Sequence, residues 1–295
     1  MARTRQNRTR HAPRRATRTA NNTLRYIIYA AVVVAAAAAA FDSWRTSASS
    51  PSAIPYTAAD SLRHVIMPDG IPAQIIHYPG FTVSFNPEAH QPNWVAWEPT
   101  ADETASTFTG RNTADFAPDP GIDGCPQLAD YRRSGYTRGH MAPAADMRWS
   151  QQAMDACFLL TNISPQHNSL NSGAWGRLEE RCRAWAARDS AITIICGPVL
   201  TDRLTRAIGN TPVPVPERFF KVIIAPFANP PRGIAFIMPN AKVEGGMAAA
   251  VTTIDEIEAI TGYDFFSALP DLIENTIEAQ SSLPQWNSTR KKQSK

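Results

Sequence analysis

Thr137-Arg138-Gly139-His140-Met141-Ala142-Pro143 sets an imidazole two positions after an arginine, with a glycine between them. In an extended segment, residues two apart share a side, so Arg138 and His140 face the same way. Imidazole is the side chain best suited to taking a proton near neutral pH. A base beside a fixed cation suits an anionic substrate such as a phosphodiester.

Downstream, Asn171 to Arg188 has helical periodicity. Trp175, Leu178, Cys182 and Trp185 fall at i, i+3, i+7 and i+10, one apolar stripe. Beside it Asn171, Trp175, Glu179 and Arg183 form a band at four-residue steps. Asn171 offers a neutral oxygen and Glu179 a carboxylate, a donor pair suited to an Mg²⁺ ion that keeps most of its waters. Arg183 lies one turn beyond Glu179, a spacing that also fits a simple surface ion pair. Between the two clusters, Thr161-Asn162-Ile163-Ser164-Pro165-Gln166 reads as a polar turn. Upstream, Gly110-Arg111-Asn112 sits in a loop rich in Gly, Pro and Asp.

Around these clusters the pattern predicts strands at 81–85 and 94–97, a short buried strand at 157–160, and further strands at 191–196, 219–225 and 233–238. Thr253-x-x-Glu256 is a capping box opening a helix through Ile260, closed by Gly262. Strands mixed with a few helices, without a βαβ rhythm, point to an α+β fold.

Taken in order, Arg138-Gly139-His140 with Ala142-Pro143-Ala144, then Thr161-Asn162-Ile163-x-Pro165-Gln166, then Asn171-x-x-x-Trp175-x-x-Leu178-Glu179, resemble the DNA/RNA non-specific endonuclease family. This is the ββα-metal nuclease group, which includes secreted bacterial nucleases and mitochondrial endonuclease G. Trp94–Trp97 and Arg111-Asn112 also look like upstream segments of the family, so the resemblance spans roughly Phe81 to Phe266. It implies a ββα-metal fold with a mostly antiparallel central sheet flanked by helices. It also implies a metal-dependent, sequence-non-specific endonuclease acting on DNA and RNA and leaving 5′-phosphate ends.

Position by position, the resemblance makes His140 the general base and Asn171 the direct Mg²⁺ ligand, with Glu179 acting on the ion through water. Arg138, Arg111 and Arg183 become phosphate contacts, and Asn162 a residue that orients the site. An Asn-plus-water site also accepts Mn²⁺. The family usually carries Asp before Arg-Gly-His; here the position is Thr137. The alternative reading is a catalytically silent, membrane-anchored nucleic-acid-binding member of the same fold. Presence of His140, Asn171 and Glu179 together argues against silence, because a binding module needs the arginines but not the base.

Composition frames this reading. The 295 residues are 43% apolar and 19% charged, enough for a sizeable core and unlike a disordered chain. The net charge of +3 is unevenly placed. Eight of the 29 basic residues lie in 1–25 and four in 290–295, which leaves 17 against 26 acidic residues in the body. Nucleic-acid contact must therefore use a local arginine cluster rather than a globally basic surface.

The basic segment 1–25 precedes sixteen apolar residues, 26–41, rich in Ala and Val. That pairing reads as a signal peptide or signal anchor, and places the protein in the periplasm or outside the cell, with membrane contact if uncleaved. A linker at 42–60, a nuclease domain at 61–284 and a basic tail at 285–295 complete the expected organisation. Cys125, Cys157, Cys182 and Cys196 lack Cys-x-x-Cys spacing; up to two disulfides or free buried thiols both fit. The sequence sets no oligomeric state.

Overall fold

The computed structural model describes residues 61–110, 114–201, 204–226 and 228–288. The basic segment, the apolar stretch 26–41, the linker to residue 60 and the tail from residue 289 lie outside the described residues.

Strands β1 (Val65–Ile66), β2 (Gln74–Tyr78), β3 (Phe81–Asn86) and β4 (Gln91–Trp97) precede helices α1 (Ala101–Ala105) and α2 (Leu128–Tyr131). Next come β5 (Thr137–His140), α3 (Gln151–Cys157), β6 (Ile163–Gln166) and the long helix α4 (Gly176–Asp189). The chain continues through β7 (Thr193–Pro198), β8 (Ala207–Ile208), β9 (Val213–Pro214), β10 (Arg218–Ala225), β11 (Arg232–Pro239) and β12 (Val251–Thr252). It closes with α5 (Ile254–Thr261), β13 (Asp264–Phe265), α6 (Asp271–Glu278) and α7 (Leu283–Asn287).

A seven-stranded antiparallel sheet in the order β12-β11-β10-β7-β4-β3-β2 divides the molecule. Its central strands are apolar on both faces. Along β10, Phe219 and Ile223 enter one core layer, while Phe220, Val222 and Ile224 enter the other. This two-residue alternation, buried on both sides, requires a layer on each face. Helices α3, α4 and α7, with the turn before α4, supply one, with Met154, Trp175, Leu178, Cys182, Trp185 and Trp286. Helices α5 and α6 supply the other, with Ile254, Ile257 and Ile277. The architecture is α+β, and the β5–β6 ribbon followed by α4 forms the ββα unit.

The capping box of α5 forms as expected. Thr253 Oγ1 accepts from Glu256 N, the Glu256 carboxylate accepts from Thr253 N, and Gly262 caps the helix at φ 73°. Three expectations change. The 157–160 run is not a strand: Ser150 caps α3, which ends at Cys157, and a 3₁₀ turn (Leu160–Asn162) follows. A four-residue apolar run carries no period that separates the end of a buried helix from a strand. Asn171 does not lie on the straight helix; it sits on a π-helical turn (Leu170–Trp175) in which Gly173 leaves helical geometry, with φ −100° and ψ −112°. Finally, Trp286 of α7 is 1% exposed within the core, so the packed body runs past residue 284. All four cysteines are free thiols, and all but Cys125 are buried.

Candidate active site

Antiparallel pairing in the ribbon sets Thr137 opposite Gln166, Arg138 opposite Pro165, Gly139 opposite Ser164 and His140 opposite Ile163. Gly139 is required by this packing: a Cβ there would stand 2.2 Å from Gln166 Oε1, and Gln166 is fully buried. Arg138 and His140 point to one side, as their spacing predicts, and Phe116 joins them. The Arg138 guanidinium lies 4.2 Å over the Phe116 ring, and the His140 ring is 5.1 Å from it. Phe158 meets the imidazole edge-on at 4.9 Å. The imidazole is thus gripped between two aromatic rings and only 8% exposed.

Asn162 fixes the chain directly after His140. Its Oδ1 accepts from Ala142 N at 2.9 Å, and its Nδ2 donates to Ala142 O at 2.9 Å and Cys157 O at 2.8 Å. This buried amide ties the ribbon to the end of α3.

The π-helical turn brings Asn171 against the start of the ribbon, where Asn171 Nδ2 donates to Thr137 Oγ1 at 2.9 Å. Phe116, Tyr131, Arg132, Thr137, Arg138 and Asn171 line one cleft of about 630 Å³. Glu179 is partly buried on α4. Burial pushes its carboxyl up to about 7, opposed by the nearby Lys221 and Arg183. Arg183 does not pair with Glu179; it binds Asp146 at 3.0 Å, and Asp146 also accepts from Trp97 Nε1 at 2.8 Å. Burial raises the Asp146 carboxyl while Arg183 pulls it back down.

Lys221 lies beneath this group, fully enclosed. Its Nζ has no hydrogen-bond partner among the described residues but stands 4.3 Å from the Trp175 ring centre and 5.1 Å from that of Trp97. Burial opposes its charge, but the nearby acids Glu179 and Asp146 favour it, and the net shift is upward, so the ammonium stays protonated.

The structure therefore brings His140, Arg138, Asn162 and Asn171 together around one ribbon. It directs Arg183 to Asp146, and Arg111 lies outside the described residues. Sequence reasoning missed Phe116, Phe158, Asp146 and Lys221. Only Lys221 carries a sequence signal, a lone charge inside the apolar run Phe219–Ala225.

Comparison with known proteins identifies the family. The family model for DNA/RNA non-specific endonuclease matches residues 59–272. The chain is 32% identical over 231 residues to the mitochondrial nuclease EXOG of Danio rerio, covering 71% of this chain and 66% of that one. It is 34% identical over 215 residues to the mitochondrial nuclease of Saccharomyces cerevisiae, covering 64% of each. Homo sapiens mitochondrial endonuclease G is 32% identical over 212 residues, covering 66% of this chain and 71% of that one. The chain thus spans about two thirds of the length of these relatives. A crystal structure of the EndoG/EndoGI complex superposes with a TM-score of 0.63 at 29% identity, covering 67% of this chain and 87% of that one.

The relatives' names overturn the expectation of an exported, periplasmic or extracellular protein: they are mitochondrial nucleases. The physical reason for the misreading is that an Arg-rich, acid-free N-terminus matches an organelle-targeting composition as well as the flank of an export signal. Among the described residues no helix is long and apolar enough to cross a membrane, and the stretch proposed as an anchor lies outside them. A family match across 59–272, relatives above 30% identity and a fold shared with the EndoG structure lead to one conclusion: this chain belongs to the DNA/RNA non-specific endonuclease family.

Proposed function

We propose that this chain is an endonuclease that hydrolyses phosphodiester bonds of DNA and RNA without sequence preference, with His140 as general base and Mg²⁺ as its ion. One observation carries the reading. Asn171 commits its amide nitrogen to Thr137, and its Oδ1 accepts no hydrogen bond from the described residues, on the wall of the cleft that Arg138 also lines. A neutral amide oxygen, with the Glu179 carboxylate acting through water, fits a hard divalent ion that keeps most of its own waters. The same donor set accepts Mn²⁺. When bound, the ion would polarise the scissile phosphate and stabilise charge on the leaving 3′ oxygen.

The chain's own groups do the rest. His140, gripped by Phe116 and Phe158, takes the proton of the attacking water. Exposed Arg138, stacked on Phe116, meets the phosphate beside it. Asn162 keeps the segment after His140 from shifting. Arg111 and Arg183 take phosphate-contacting roles by the family pattern, Arg183 with one nitrogen already on Asp146. Arginines gathered on backbone phosphate read no bases, which accounts for the lack of sequence preference.

The test incubates the full chain with plasmid DNA and with RNA, in Mg²⁺ and in EDTA, beside His140→Ala and Asn171→Ala. Degradation of both polymers that requires metal and drops at least about a hundredfold in the His140 variant is expected. Intact substrate in both Mg²⁺ and Mn²⁺ would sink the enzyme reading and leave a nucleic-acid-binding member of the family.

A further inference from the structure

The sheet face opposite the His140 ribbon carries its own constellation. Asp255 and Glu258 stand three apart on α5, and Glu278 ends α6, with both helices packed on β11. One carboxylate oxygen from each of the three lies within 4.8 Å of the others. Asp255 is exposed, Glu258 intermediate and Glu278 94% buried, a graded path from solvent inward, since only 6% of Glu278 is accessible.

Two facts separate this group from an ordinary acidic surface. Glu278 contributes one oxygen to the cluster, and its Oε1 is buried with no hydrogen-bond partner among the described residues. Leaving such an atom unpaired in a folded chain is costly unless a ligand satisfies it. Glu258 is also fixed rather than free to swing away, because its Oε1 accepts from Phe265 N at 2.8 Å.

Among the described residues no basic side chain pairs with Asp255, Glu258 or Glu278. With no cation of the described chain among these three clustered carboxylates, a bound metal ion would neutralise them.

We propose that Asp255, Glu258 and Glu278 form a second divalent-cation site, separate from the catalytic one, that binds Ca²⁺ and clamps α5 to α6. All its donors are hard oxygens, which excludes soft-metal chemistry. Three protein carboxylates converging on one point suit Ca²⁺, which takes six to eight oxygen ligands, whereas Mg²⁺ is ordinarily held by one or two carboxylates and its own waters. Exposed Asp255 leaves room for the waters that complete a Ca²⁺ shell.

The test titrates Ca²⁺ into the metal-free full chain by calorimetry and follows thermal unfolding with and without Ca²⁺. Wild type, Asn171→Ala, Asp255→Asn and the pair Glu258→Gln with Glu278→Gln are compared. Ca²⁺ binding that survives Asn171→Ala, weakens about tenfold or more in Asp255→Asn and vanishes in the double variant is expected. Saturating Ca²⁺ should raise the wild-type unfolding midpoint by about 5 °C and leave the double variant unmoved. In chelator the double variant should unfold at or above the wild-type temperature, since it no longer crowds uncompensated charge; this also shows that it folds. Loss of all Ca²⁺ binding in Asn171→Ala, or an unchanged affinity in Asp255→Asn and in the double variant, overturns the proposal.

Discussion

Asn171 Nδ2 donates to Thr137 Oγ1 at 2.9 Å, and Thr137 Oγ1 donates in turn to Gln166 O at 2.9 Å. The residue that departs from the family pattern is therefore the one that turns the Asn171 amide. Because the Thr137 hydrogen is spent on the Gln166 carbonyl, its lone pair faces Asn171, and the amide presents its oxygen to the cleft. A hydroxyl performs this orientation without adding charge beside the oxygen proposed to meet the cation.

Thr137→Val keeps the shape and removes the acceptor. The Mg²⁺ concentration for half-maximal cleavage should rise about tenfold, the usual cost of losing a group that orients a metal ligand. Thr137→Ser should stay near wild type. An unchanged Mg²⁺ dependence in the valine variant would mean that the bond does not position Asn171.

Arg183→Ala strands the Asp146 carboxylate, whose side chain is 1% exposed. Breaking a buried pair from one side costs about 3 kcal/mol, read as a lower midpoint in urea unfolding. If stability holds and only nucleic-acid affinity falls, Arg183 belongs to the substrate rather than to Asp146.

Asn162→Ala removes three buried hydrogen bonds at once and leaves Ala142 and Cys157 backbone groups unpaired. The loss should reach about 3 kcal/mol, or a drop in melting temperature of about 10 °C for a domain of this size. Thermal unfolding by circular dichroism checks this, and a shift under about 2 °C would remove Asn162 from its clamping role.

Glu179 gives a pH signature in the absence of metal. Its folded pKa lies near 7, above the ordinary 4.5, so the native state holds a proton that the unfolded chain releases. Its contribution to stability is full below about 4.5 and is lost as pH rises through 7. In EDTA, wild-type stability minus that of Glu179→Gln should decline with rising pH across that window and flatten above it. A pH-independent difference would show that burial does not perturb this carboxyl.

Much of the fold is legible in the sequence because its signals are local. Strands β3, β4, β10 and β11 announce themselves by apolar runs bounded by turns, and the α5 cap by four residues. The site is legible in part, since Arg138 and His140 need only the two-residue period of a strand to share a side. What the sequence withholds depends on distant pairing. Nothing near Asp146 foretells that it will meet Arg183, 37 residues on, or Trp97, 49 residues back. The straight band from Asn171 to Arg183 misleads because Gly173 breaks the helix, and that break lets Asn171 reach Thr137.

Lys221, walled in by Trp97, Trp175 and its cross-strand neighbour Cys196, has no route to bulk water. Amine-reactive reagents that label the surface lysines will pass it by until the chain unfolds. Its charge sits away from dissolved ions, so salt weakens its pull on Glu179 far less than it weakens an ion pair at the surface.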